Sequence, residues 1–150
     1  MDIENLLKLL NEADARYVII GATAFPVHGY SRATLDIDLF IEPNKENANK
    51  ILQVLKKFGY DVSDVAIEDL LTKKILIRQY ILETDLHPFV AGVSFNEVWH
   101  NKVETLLGNT KTYVAGLDDL IKMKQAANRS KDIEDLKILL KIKERKDKNK

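Results

Sequence analysis

A chain of 150 residues is long enough for one domain with its own core and too short for two ordinary ones. Lysine plus arginine equals aspartate plus glutamate at 23 each, so the whole-molecule field gives no general attraction to nucleic acid and any such contact has to be local. Cysteine is absent, which excludes a disulfide framework and thiolate metal sites; acids at Met1–Asn5 and the lack of a long apolar run argue against a signal peptide and a membrane span. The expectation is one cytoplasmic domain over 1–150.

Ile3, Leu6, Leu7, Leu9 and Leu10 recur at near-helical spacing and predict a packing helix that ends between Glu12 and Asp14. Tyr17-Val18-Ile19-Ile20 reads as a short buried strand running into Gly21. Pro26 is tolerated only in a helix's first turn, which puts the next helix start near Ala22 or Thr23 and its end near Gly29. A strand, a glycine and a helix N-terminus in that order offer unpaired N–H groups and room for a phosphate to approach, with Gly21, Ala22 and Thr23 as the phosphate-side residues.

The stretch from Tyr30 to Ile41 holds two carboxylates one residue apart within an apolar run. As a strand it places Thr34, Asp36 and Asp38 on one face and Leu35, Ile37, Leu39 and Ile41 on the other. Partly desolvated, such a pair shares a proton or takes a cation, and magnesium suits carboxylates that open onto a substrate's phosphates. A solvent-facing edge strand with two surface aspartates is the alternative, against which the apolar flanks Ile37 and Leu39 predict a central strand.

Glu42-Pro43-Asn44 reads as a turn, and Ala48, Ile51, Leu52, Leu55 and Phe58 predict a helix that stops at Gly59. Tyr60–Val62 reads as a short strand and Ile67–Leu71 as a short helix. From Ile75 to Pro88 the β pattern returns through Ile75–Ile77 and Tyr80–Leu82, with Ile81, Glu83, Asp85 and His87 on one face. Phe95–Trp99 reads as a helical turn, followed by a hairpin of Val103–Leu107 and Lys111–Ala115 across Gly108-Asn109. Two helices close the chain. One spans Leu117 to Asn128; the second starts at Ser130 as N-cap and carries Ile133, Leu136 and Leu140 on its buried stripe. The tail from about 142 to 150 is basic and reads as a frayed, solvated end.

Gly21 at a strand-to-helix junction, Asp36-Ile37-Asp38 on the next strand and the lone Asp85 on a later one together resemble the nucleotidyltransferase superfamily. More narrowly, Arg32–Leu39 and Asp119–Asp132 resemble its small AbiEii-type branch, which includes toxins of toxin–antitoxin pairs and relatives of lincosamide-modifying enzymes. The resemblance runs from about Tyr17 to Leu140. It implies an α/β (α+β) fold of the polymerase-beta palm type: a mixed sheet packed by helices, with a C-terminal helical pair. It also implies that Asp36, Asp38 and Asp85 hold Mg2+ or Mn2+, with Asp85 as third ligand or as base for an acceptor hydroxyl. The reaction implied is NMP transfer from an NTP to an RNA, protein or small-molecule hydroxyl, with an antitoxin as a possible partner.

The family's second small residue, Gly or Ser, is Ala22 here, so one hydroxyl is missing and Thr23 and the backbone N–H groups are the remaining donors. That departure keeps open a catalytically silent domain that binds nucleotide or a partner. A glycosyltransferase using its Asp-x-Asp ranks last, since the chain leaves little room for donor and acceptor domains. Arg32 either grips a triphosphate with its fork or is a surface arginine. Lys124 follows Leu120 and Ile121 by four and three residues, which puts an ammonium on an apolar helix face; it either snorkels to the rim or meets a phosphate or carboxylate in the cleft. His87 is read as a hydrogen-bonded structural residue with tuning of Asp85 as the alternative, Asp135 as helix-start surface charge, and His28 and His100 as structural.

Overall fold

The structure, a computed structural model, describes residues 2–31 and 36–149. Helix α1 (Ile3–Glu12) begins at Asp2, whose carboxylate accepts the Asn5 N–H at 2.8 Å, and buries Leu6, Leu7 and Leu10. Strand β1 (Tyr17–Ile20) is buried at every position, as its unbroken apolar run requires. Strand β2 (Asp36–Ile41), helix α2 (Lys45–Phe58), helix α3 (Ile67–Thr72) and strands β3 (Ile75–Ile77) and β4 (Glu83–His87) follow. Helix α4 (Phe95–Asn101) opens on a Ser94–Glu97 capping box and leads to the hairpin of β5 (Val103–Leu107) and β6 (Thr110–Val114). Helices α5 (Leu117–Ala127) and α6 (Ile133–Lys148) pack on each other as the terminal pair.

The six strands form one mixed sheet in the order β3-β4-β2-β1-β6-β5, with β2 parallel to β4, β1 parallel to β6, and the other neighbours antiparallel. This is the mixed α/β architecture that the resemblance implies, and it puts β2 inside the sheet. Strand alternation then does the positioning. Ile37, Leu39 and Ile41 are fully buried on one face, while Asp36, Asp38 and Phe40 share the other. Phe40 is buried edge-on against Phe95 of α4, with ring centroids 5.3 Å apart, so helix covers that end of the face and the carboxylate end stays open.

Several sequence expectations are corrected. The helix after β1 is a 3₁₀ helix from Gly21 to His28, starting at the glycine itself, because Pro26 gives no N–H to an α-helical ladder. Tyr60–Val62 forms no strand: Tyr60 and Val62 are buried by packing, and the Tyr60 hydroxyl donates to the Leu82 carbonyl at 2.7 Å. Tyr80–Leu82 is a bend, held where the Gln79 side-chain amide exchanges two 2.7 Å hydrogen bonds with the Asp61 backbone. Ser130 is not an N-cap but begins a 3₁₀ turn, Ser130–Asp132, ahead of α6. The inward stripe of α6 is Asp135, Leu139 and the partly buried Leu136, which was expected there, with buried Asp132 just ahead of the helix, whereas Ile133 and Leu140 are exposed at 52% and 41%. The basic tail is helical to Lys148 instead of frayed. Among the described residues no helix is long and apolar enough to cross a membrane.

Candidate active site

Parallel strands in register put partner side chains on a common face. Asp36 therefore lies opposite Glu83, Asp38 opposite Asp85, and Phe40 opposite His87. Asp36 and Asp38 of β2 and Asp85 and His87 of β4 converge on one wall of a cleft of about 680 Å³, closed on the other side by α5 and the start of α6. Ligand atoms of Asp38, Asp85 and His87 all lie within 4.8 Å of one another, the spacing of groups that can share a metal ion. His87 donates from Nε2 to Asp38 Oδ1 at 2.8 Å. Carboxylate oxygens with one imidazole form a donor set that suits a divalent ion of the magnesium or manganese type.

Gly21 fits this wall closely. Its φ is +72°, and a Cβ there would stand 2.6 Å from Asp38 Oδ2. The glycine supplies a left-handed turn and clears the space the carboxylate occupies. Gly21→Ala is expected to lower stability by about 1–2 kcal/mol and to weaken divalent-ion binding by displacing Asp38. Urea unfolding with a manganese titration checks this; an unchanged midpoint and affinity would remove the steric argument.

Asp85 is buried at 6% exposure and is gripped by Arg78, whose Nη1 bonds Oδ1 and whose Nη2 lies 3.3 Å from Oδ2. The same guanidinium reaches Glu83 through Nε at 3.2 Å. A shared hydrogen bond with Asp36 pushes the Glu83 carboxyl above its ordinary range, with desolvation adding to it.

Across the cleft, the Lys124 ammonium meets Asp132 at 2.9 Å and Asp135 at 3.4 Å. Arg129 binds Asp132 from the other side through Nε at 2.7 Å, and this hydrogen bond, with that of Lys124, pushes the buried Asp132 carboxyl down to about 2. Asp135 accepts from the Tyr30 hydroxyl at 3.1 Å.

Of the residues singled out in the sequence, Gly21, Ala22, Asp36, Asp38, Asp85 and Lys124 line the cleft. Asp36 lies outside the group with metal-ligand spacing, beside Glu83. Thr23 is absent from the lining described; its hydroxyl donates to the Asp36 carbonyl at 2.8 Å and ties the 3₁₀ helix to β2. Arg32 and Thr34 lie outside the described residues. Lys124 finds carboxylates in the cleft and does not snorkel. His87 contacts Asp38, not Asp85, and Asp135 is buried rather than a surface charge. His28 is structural: it is buried, its Nε2 lies 2.8 Å from the Ala115 carbonyl oxygen, and burial lowers its pKa. Sequence reasoning did not select Arg78 or Arg129 for the cleft; the first comes from a bend and the second from a helix end, where no periodicity assigns a direction.

A family model described as "Nucleotidyltransferase of unknown function (DUF6036)" matches residues 1–144. No curated protein matches the chain.

Proposed function

The chain belongs to the nucleotidyltransferase family DUF6036, and from that premise we propose that it moves an NMP from an NTP to a hydroxyl of an RNA, protein or small-molecule acceptor. The observation that carries this reading is the register of Asp38 with Asp85, which brings donors from two neighbouring strands together at the mouth of a cleft whose rim also holds Lys74, Arg78, Arg129 and Lys131. Acids on one wall and cations around them match a metal-bound triphosphate.

Asp38 and Asp85, with His87 and Asp36 beside them, would hold magnesium or manganese, which when bound polarises the phosphates and lowers the pKa of an acceptor hydroxyl. Gly21 and Ala22 line the same cleft at the start of the 3₁₀ helix, where backbone N–H groups take no intrahelical bond and would stand in for the hydroxyl that Ala22 lacks. The chemistry asks for little beyond positioning and charge: the acceptor hydroxyl gives its proton to solvent, and its oxygen bonds to the α-phosphorus as the bond to the leaving pyrophosphate breaks.

The motifs Arg32–Leu39 and Asp119–Asp132 support the reading of the chain as a member of the AbiEii-type branch, one cytoplasmic domain that would serve as the toxin of a toxin–antitoxin pair. A second reading has one specific observation behind it. The Arg78 grip on Asp85 occupies a carboxylate that metal would use, as it would in a silent domain that binds nucleotide or a partner.

Labelling decides between them. With α-phosphate-labelled NTPs, total RNA and the protein itself as acceptors, label is expected to appear with Mg2+ or Mn2+ and to vanish on chelation. Calorimetric binding of metal-NTP without any labelled product supports the silent domain. Absence of both binding and product ends the nucleotide reading.

A further inference from the structure

The chain has eleven aromatic residues, and ten of them have a ring partner: Tyr17, Phe25, Tyr30, Phe40, Phe58, Tyr60, Tyr80, Phe95, Trp99 and Tyr113 all meet another ring within 6 Å. Phe89 is the eleventh. Among the described residues it has no ring contact, it is 66% exposed, and it lines the cleft. A phenyl left in water forfeits the stabilisation of burial, and this one stands two residues beyond His87 at the end of β4.

The support beneath the ring is fixed. Pro88 is buried just before it, Val90 and Val93 form a β-bridge just after it, and Gly92 presses on α5, where a Cβ would lie 2.7 Å from that of Ala126 and 2.9 Å from the Lys122 carbonyl oxygen. The loop is therefore pinned at close range to α5 while the ring it presents is open. The neighbouring lining is apolar: Leu120, Met123 and Ala127 follow one face of α5 at helical spacing and turn to the same cleft. The cleft thus joins a charged part, with Asp38, Asp85 and the cations, to an apolar part with one free aromatic face.

From this division we infer that Phe89 is the platform on which the nucleobase of the bound nucleotide stacks, with Leu120 and Met123 as the apolar lining beside it. The inference rests on the nucleotide reading above and adds to it the residue that holds the base. A nucleotide is the ligand with this same division, polyanionic at one end and a flat π-system at the other. Stacking accepts any base face, so the platform gives affinity with little base discrimination. Phe89 makes no hydrogen bond to a reacting group and is a binding residue.

Phe89→Ala and Phe89→Trp, compared with the unaltered chain, test this by calorimetric titration with manganese-ATP and with manganese-tripolyphosphate, which has the charge and lacks the base. Phe89→Ala is expected to weaken ATP by about 5- to 150-fold, the span of one base–aromatic stack, and to leave tripolyphosphate affinity unchanged. Phe89→Trp is expected to keep ATP affinity and to lose indole emission as ATP is added, over the baseline from Trp99. Equal loss of both probes in Phe89→Ala, or no loss of either, overturns the inference while leaving the nucleotide reading in place. So does a loss confined to a single-stranded oligoribonucleotide, which would put the ring under the acceptor. If the unaltered chain binds neither probe, the nucleotide reading fails and the platform with it.

Discussion

Asp38→Asn is expected to lower NMP transfer by about 100- to 1,000-fold while leaving the fold in place. Asp38 stands where three strands meet: it pairs with Ile20 of β1, lies in register with Asp85 of β4, and faces the gap left by Gly21. Asparagine keeps the volume and an acceptor oxygen for the His87 N–H, so packing and that hydrogen bond survive. What is lost is the negative charge, and an amide N–H would point where a cation is wanted. Removing a charge-stabilising group from a catalytic site raises the barrier by a few kcal/mol, and each 1.36 kcal/mol is about tenfold in rate. The measurement is labelled-product formation against a thermal unfolding scan and a manganese titration. Transfer at the unaltered rate would take Asp38 out of the chemistry; transfer lost along with the folding transition would make the aspartate structural.

That this carboxylate can be singled out from sequence, while its partners cannot, follows from what periodicity encodes. The period of two in Asp36-Ile37-Asp38-Leu39 fixes a face, and the apolar runs at Tyr17–Ile20 and Ile37–Ile41 mark interior strands, as observed. Register between strands is set by tertiary packing, so nothing in the sequence alone pairs Asp38 with Asp85, or brings His87 to Asp38. Arg78 was illegible for another reason: it falls between the runs Ile75–Ile77 and Tyr80–Leu82, where no alternation assigns a face, and its guanidinium meets Asp85. Thr23 lies near Gly21 in sequence, and its hydroxyl is spent on the Asp36 carbonyl. For α6 the hydrophobic pattern held at Leu136 and failed at Ile133 and Leu140, since the carboxylate of Asp135 takes an inward position beside Leu139.

The rotation of α6 leads to the second large effect. Lys124→Met is expected to cost about 3 kcal/mol, which for a chain of this size lowers the unfolding temperature by about 6–12 °C. Methionine matches the lysine stem in volume and removes the ammonium, which at 17% exposure is shared by Asp132 and Asp135. Asp132 keeps Arg129, whose hydrogen bond is the largest cause of its lowered pKa, and stays ionised at neutral pH. Asp135, buried at 5%, loses its ammonium partner and keeps the Tyr30 hydroxyl among its contacts. Breaking a buried pair on one side weakens the compensation of the charge that remains, and that is the main cost. Adding Asp135→Asn to Lys124→Met removes that charge and is expected to recover roughly half of the stability, a coupling that a double-mutant cycle reads directly. A drop below about 1 kcal/mol for the single variant would mean that the ammonium had been solvated like a surface lysine. The double variant also separates structure from function: it regains the fold without regaining a cation in the cleft, so nucleotide affinity that returns with stability would make Lys124 purely structural, and affinity that stays low would give it a place beside the phosphates.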